Sequence, residues 1–269
     1  MRRISLTFLT ALLLGATTAW ATPHDDADAA YQRKDYATAL RIFRPMAAQG
    51  DVSAQFLLGE MYSEGRGVSQ DYAEALTWFR LAAVQGDAVA QYNVGAMYYD
   101  GKGVTQDYAE AVKWYRLAVA QGIARAQYDL GTMYYEGKGV TQDYAEAVKW
   151  FMLAAAQGYA SAQYNLGHMY DDGQGVVQDY AEAVKWYRLA AAQGDASAQR
   201  NLGVMYYNGR GVVQDYVRAH MWLNIEAVKG NAGAVKNRDV VAKKMTTQQI
   251  AEAQKLAREC QARNFKGCD

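Results

Sequence analysis

The stretch AQYNVGAMYYDGKGVTQDYAEAVKWYRLAVAQG, residues 90–122, decides how this chain folds, because most of its positions return 36 residues earlier and later. Ala-Gln recurs at Ala54-Gln55, Ala90-Gln91, Ala126-Gln127, Ala162-Gln163 and Ala198-Gln199. Glycine keeps the same step at Gly59, Gly95, Gly131, Gly167 and Gly203, and tryptophan at Trp78, Trp114, Trp150, Trp186 and Trp222. A fixed period of this size marks stacked supersecondary units, none of which can bury its apolar surface alone.

Two helical patterns fill the stretch. Helix A is expected from Ala90 to Tyr99, stopped at Gly101-Lys102-Gly103, where glycine supplies left-handed backbone. Helix B opens at Asp107-Tyr108-Ala109-Glu110, where Asp107 caps free amides and Glu110 reaches back in a variant of the capping box. The same Asp-x-x-Glu stands at Asp71/Glu74, Asp143/Glu146 and Asp179/Glu182, and Gln121-Gly122 closes helix B. Ala90, Val94, Met97 and Tyr98 form the apolar stripe of helix A, and Ala111, Trp114, Leu117 and Ala118 that of helix B. Gly95 in mid-helix costs about 1 kcal/mol relative to Ala. Such a cost points to close approach by a ring from helix B, such as Trp114.

Read as a pattern, Ala-Gln-Tyr-Asn-Val-Gly-x-Met-Tyr-Tyr-x-Gly-x-Gly-Val, then Asp-Tyr-Ala-Glu-Ala-Val-x-Trp-Tyr and Ala-x-x-Gly, resembles the Sel1-like repeats, relatives of the tetratricopeptide repeats. The resemblance covers about Asp51 to Gly230. It implies an all-α fold, a right-handed α/α superhelical solenoid of about six helix-pair repeats with a concave inner face and a C-terminal helical cap. The expected boundaries are 22–53 for a degenerate N-terminal repeat, then 54–89, 90–125, 126–161, 162–197 and 198–233, with capping helices in 234–269. In the first unit, Asp35 to Gly50 reads as helix B with a shortened loop. In the last, Arg218, His220 and Glu226 replace recurring residues, and Val228 to Lys244 and Thr246 to Arg263 read as two non-repeating helices suited to a solubilising cap.

Composition narrows the function. The 269 residues fit one long domain or two ordinary ones, and only two are proline, which permits many helices. Lys+Arg and Asp+Glu both number 28, a balance that argues against nucleic-acid binding. Lys113-Trp114-Tyr115-Arg116 imitates an aromatic-basic patch, but Lys113 and Arg116 fall on an outer face near Asp107 and Glu110. Residues 1–21 read as a secretory leader: Arg2 and Arg3, an apolar run from Ile4 to Leu14, and the small-x-small site Ala19-Trp20-Ala21. That run is too short to span a bilayer. A periplasmic or secreted chain that does not insert in the membrane after cleavage is expected. Cys260 and Cys268, the only cysteines, are expected to pair in an oxidising compartment and tie the tail to the last helix.

Catalysis is argued against by inventory. The histidines are His24, beside the cleavage site, His220, at an apolar repeat position, and His168, which has no nucleophile or orienting partner legible in the sequence. No cofactor or metal site is expected. One cysteine-rich branch of the Sel1-like family has been linked to β-lactam binding, but this chain has no cysteine within its repeats. A cell-wall hydrolase or β-lactam-binding enzyme therefore stands as the second reading, and a periplasmic modulator of a membrane sensor as the third.

The leading reading is an interaction scaffold. On helix A, the face opposite the core is sampled by four columns. They are Phe56, Tyr92, Tyr128, Tyr164 and Arg200; Glu60, Ala96, Thr132, His168 and Val204; Ser63, Tyr99, Tyr135, Asp171 and Tyr207; and Glu64, Asp100, Glu136, Asp172 and Asn208. The resemblance implies that this face lines the concave groove. It would be a tyrosine ladder edged by carboxylates, suited to a basic, partly apolar segment of another protein. For the first column, packing between repeats and binding both stand as readings. Capped ends favour a monomer.

Overall fold

The computed structural model describes residues 23–268, so the expected leader lies outside the described residues. Among them are fourteen α-helices and no strand. They pair as α1 (Pro23–Gln32) with α2 (Tyr36–Ala48), α3 (Val52–Glu64) with α4 (Tyr72–Val84), and α5 (Ala88–Asp100) with α6 (Tyr108–Ala120). Next come α7 (Ala124–Glu136) with α8 (Tyr144–Ala156), α9 (Ala160–Asp172) with α10 (Tyr180–Ala191), and α11 (Ala196–Asn208) with α12 (Tyr216–Ala227). Two further helices, α13 (Ala232–Ala242) and α14 (Thr247–Ala262), close the chain. Consecutive helices from α1 to α13 pack on one another, the arrangement of a superhelical α/α solenoid.

The helix starts obey the caps read from sequence, with one correction. Asp107 Oδ1 accepts from Glu110 N at 2.9 Å. The Glu110 carboxylate does not reach back; it pairs forward with Lys113 Nζ at 2.7 Å. A reciprocal box forms instead at α14, where Thr246 and Gln249 bond each other's backbone amides. Helix A begins two residues earlier than expected, on Asp87 and Asp195 caps. Ile123 and Tyr159 stand where the other repeats have aspartate and give no side-chain cap, a loss of about 1 kcal/mol each.

The helix B stripe also shifts. Ala111, Val112, Tyr115 and Ala118 are buried, whereas Leu117 is 48% exposed and Trp114 only half-buried. The ring over Gly95 is Tyr115: a Cβ at Gly95 would lie 2.6 Å from its Cδ1. Phe79, Phe151 and Tyr187 cover Gly59, Gly131 and Gly167 in the same way. Burial of each such side chain contributes about 1.5–3 kcal/mol, which outweighs the glycine's cost in helix propensity.

The recurring glutamine has a structural reason that spacing alone does not reveal. Gln91 is buried, and its Nε2 donates to the Ala83 carbonyl of the preceding unit at 3.1 Å. Its Oε1 accepts from Gln121 Nε2 at 2.8 Å, and Gln121 also reaches the Gly86 carbonyl at 2.9 Å. Gln55–Gln85, Gln127–Gln157 and Gln163–Gln193 repeat the pairing. Gln91→Leu is expected to lower stability by about 1–3 kcal/mol, because the partners stay buried without it. A denaturant midpoint unchanged from wild type would remove this ladder from the account.

The cap is built from α13 in helix A register and α14 laid on α12. Cys260 and Cys268 are bonded, and Phe265 between them packs beside Gly194 and under the Lys229 ammonium. Reduction is expected to destabilise the cap by roughly 2–3 kcal/mol on loop-closure grounds. Hydrogen exchange should rise in α14 and stay unchanged in α5 to α8.

Candidate binding groove

The first column rests on the core. Phe56 meets Phe79 at 5.7 Å between ring centroids, Tyr92 meets Tyr115 at 5.6 Å, Tyr128 meets Phe151 at 5.6 Å and Tyr164 meets Tyr187 at 6.0 Å. These side chains are half-buried, forming a second layer whose outer edges remain open. The third column braces the repeats. Tyr99 packs on Tyr108 and Tyr135 on Tyr144, both at 5.2 Å, and Tyr207 on Tyr216 at 5.7 Å. Lys138 Nζ, from the next unit's loop, donates to Tyr99 Oη at 3.0 Å, and Tyr135 Oη donates to Gln174 Oε1 at 3.0 Å.

Between successive A helices these columns bound a row of clefts. Glu60, Glu64, Ala96 and Asp100 share one of about 260 Å³ between α3 and α5. Tyr92, Ala96, Tyr99, Asp100 and Thr132 share one of about 220 Å³ between α5 and α7. Tyr135, Tyr164 and His168 line a third between α7 and α9, and Tyr207 and Val204 a fourth between α11 and α13. Phe56, Tyr128, Glu136, Asp171, Asp172 and Arg200 lie on the same helices but outside the linings of these four clefts.

The charge differs from the expected acidic edge. Glu64 pairs with Arg66, Asp100 with Lys102 at 2.9 Å and Glu136 with Lys138 at 2.8 Å. Each partner is the residue between the two loop glycines, so the edge is neutralised along α3, α5 and α7. In α9 that loop residue is Gln174, and Asp172 has only His168 Nδ1 at 3.5 Å. Two further carboxyls, Glu60 and Asp171, sit deeper, with Arg66 and Arg210 as their respective nearby cations. Burial, then Glu64, raises the Glu60 pKa, and burial, then Asp172, raises that of Asp171.

Asp129 and Arg125, in the cleft between α5 and α7, were not singled out from sequence. Asp129 is an acid in a column otherwise of Asn93, Asn165 and Asn201 below Leu57, and that contrast was the available signal. Its Oδ2 accepts from Tyr92 Oη at 2.9 Å, while the Arg125 guanidinium lies over the Tyr92 ring at 5.3 Å. Burial raises the Asp129 pKa despite the Tyr92 bond and Arg125. A carboxyl with a raised folded-state pKa holds more protons folded than unfolded, so its penalty is present at neutral pH and disappears as pH falls through that pKa. Asp129→Asn is therefore expected to stabilise the chain at pH 7 and to have lost that gain at pH 4, read from denaturant midpoints. A variant less stable at pH 7 would contradict this.

The histidines fall apart from one another. His24 bonds Asp28 at 3.0 Å, His168 faces the groove, and His220 is buried at α12, with its pKa lowered by burial and by Arg238. The groove therefore offers aromatic area, hydroxyls and carboxylates.

Comparison with known proteins gives consistent matches. The family model of the Sel1 repeat matches residues 29–51, 52–87, 88–123, 124–159, 160–195 and 196–225. The chain is similar to the crystal structure of a protective antigen present in uropathogenic Escherichia coli strains, which displays an SLR fold. Identity is 35% and TM-score 0.81, over 92% of this chain and 55% of that one. The chain thus spans about half the antigen's length. It is also similar to a Sel1 repeat protein from Oxalobacter formigenes, at 34% identity and TM-score 0.76, over 87% of this chain and 98% of that one. No curated protein matches the chain.

Proposed function

The chain belongs to the Sel1 repeat family, whose solenoids are typically non-catalytic protein-interaction scaffolds, and from that premise we propose that it is an exported scaffold holding a segment of another protein along its helix A faces. The observation that carries the reading is the row of open clefts between successive A helices, walled by Tyr92, Tyr99, Tyr135 and Tyr164. Tyrosine gives contact area with few rotors and a hydroxyl at its tip, which suits recognition. Glu60, Asp129, Asp171 and Asp172 outnumber Arg125 in the α3 to α9 part of the groove, so a basic, partly apolar segment is the favoured guest and its arrival is accelerated.

Export is supported by the leader pattern of residues 1–21 and by the Cys260–Cys268 disulfide. No helix among the described residues is long and apolar enough to cross a membrane.

The test is co-purification of the mature chain from an envelope extract, with the retained proteins identified by mass spectrometry. One protein should be retained in stoichiometric amount and displaced by a soluble basic peptide. Retention of none, together with turnover of cell-wall fragments or a β-lactam by the purified chain, would replace the scaffold with an enzyme.

A further inference from the structure

The C-terminal end of the groove is built differently from the rest, and its chemistry is opposite. Three departures coincide in the last full repeat. The ring under the mid-helix glycine, supplied by Phe79, Tyr115, Phe151 and Tyr187 elsewhere, becomes Leu223. In the first column Arg200 replaces an aromatic residue, and in the second Val204 follows Glu60, Ala96, Thr132 and His168. The facing wall is α13, which keeps helix A register: Asn231 Oδ1 accepts from Ala234 N at 3.0 Å, 36 residues after Asp195 accepts from Ala198 N.

The result is a cleft of about 300 Å³ lined by Val204, Tyr207, Leu223, Val240 and Val241, with Asn208 and Asn237 at its sides. Val240 is 41% exposed, so apolar surface is open to a guest. Around it the charge is positive. Arg200 and Lys236 each sit one turn before a cleft valine and therefore share its helix face. Lys243 and Lys244 follow just past the end of α13, and Asp239, beside Val240, is paired with Arg238 at 2.8 Å. Among the described residues no carboxylate lies within ion-pair reach of Arg200, Lys236, Lys243 or Lys244, whereas Lys102 and Lys138, in the α3 to α9 part, are paired.

We infer that this end is a second subsite, taking an aliphatic side chain of the guest flanked by aspartate or glutamate. This rests on the scaffold reading above and sharpens it. The guest is bipolar, its basic part over α3 to α9 and its acidic, aliphatic part between α11 and α13. Opposite charges at the two ends fix a single direction of binding and reject a reversed segment.

Two fluorescent peptides test it on the full mature chain by polarisation: one leucine flanked by glutamates, and one leucine flanked by lysines. The glutamate peptide should bind and lose at least about tenfold in affinity in Arg200→Glu/Lys236→Glu, while the lysine peptide binds that variant no more weakly. Both substituted side chains lie outside the buried core, and unchanged circular dichroism and melting establish that the fold persists. An unchanged affinity for the glutamate peptide, or binding of the lysine peptide alone, overturns the subsite and leaves the groove standing. Binding of phosphatidylglycerol vesicles, lost in the variant and without peptide binding, assigns the patch to a membrane surface and also overturns it. Failure of both peptides to bind, with no vesicle binding, removes the subsite and the groove reading together.

Discussion

Gly139→Ala is expected to destabilise the array by about 3 kcal/mol or more, a large effect for a single added methyl. Gly139 is the second loop glycine, with φ near 69°. An ideal Cβ there would lie 2.3 Å from the Tyr108 carbonyl oxygen and 2.4 Å from its carbonyl carbon. These are backbone atoms at the start of the preceding unit's helix B, so no rotamer change relieves the clash. Left-handed backbone costs an L-residue roughly 1–2 kcal/mol, and overpacking typically adds about 1–3 kcal/mol. The chain supplies its own control. Gly122 has φ near 83° and nothing within 4 Å of the same imaginary atom, so Gly122→Ala should cost only the conformational part, about 1 kcal/mol. Equal losses in urea unfolding would mean that the loop glycines serve turn geometry alone and that the close contact between units is wrong.

Ala96→Arg combined with Thr132→Arg is expected to reduce guest capture more than tenfold while leaving the melting temperature nearly unchanged. Ala96 lines the first two clefts and Thr132 the second, and both are half-buried. Two arginines would fill these clefts and add positive charge facing a basic guest, which costs both shape and electrostatics. Neither side chain belongs to the buried stripes, and the Thr132 bond to the Tyr128 carbonyl is a local contact within one helix. Glu110→Gln combined with Glu146→Gln, on the outer face of helix B, shifts the net charge by the same two positive units and is the matched control. Equal loss of capture in both variants would show a nonspecific charge effect; no loss in either would place the guest elsewhere.

The architecture was legible because its signals are periodic. A 36-residue step, Asp-Tyr openings and Gln-Gly closings fixed helix order and the cap. Which face each helix buries was less legible. Trp114 returns in five of the six units and drew the stripe toward itself, while Tyr115, variable between Phe, Tyr and Leu, holds the core. Recurrence did not separate the two kinds of position: Ala90 and Gln91 recur and are buried, whereas Trp114 recurs and is not. The glutamine ladder was visible as a repeat but not as a function, because its partners stand 8 and 30 residues away along the chain. The groove columns followed from helix geometry. Their charge did not, since Glu64, Asp100 and Glu136 are neutralised by loop residues whose direction the pattern does not give.

The account turns on where the guest lies, and site-specific photo-crosslinking addresses that most directly. A photoreactive residue is placed at Ala96, Thr132 or Val204 on the helix A columns, and at Lys113 or Lys149 on helix B, in the full chain expressed in living cells. The helix A positions should each trap the same protein and the helix B ones none. Trapping of that protein from Lys113 and Lys149, with none from the helix A positions, would contradict the account.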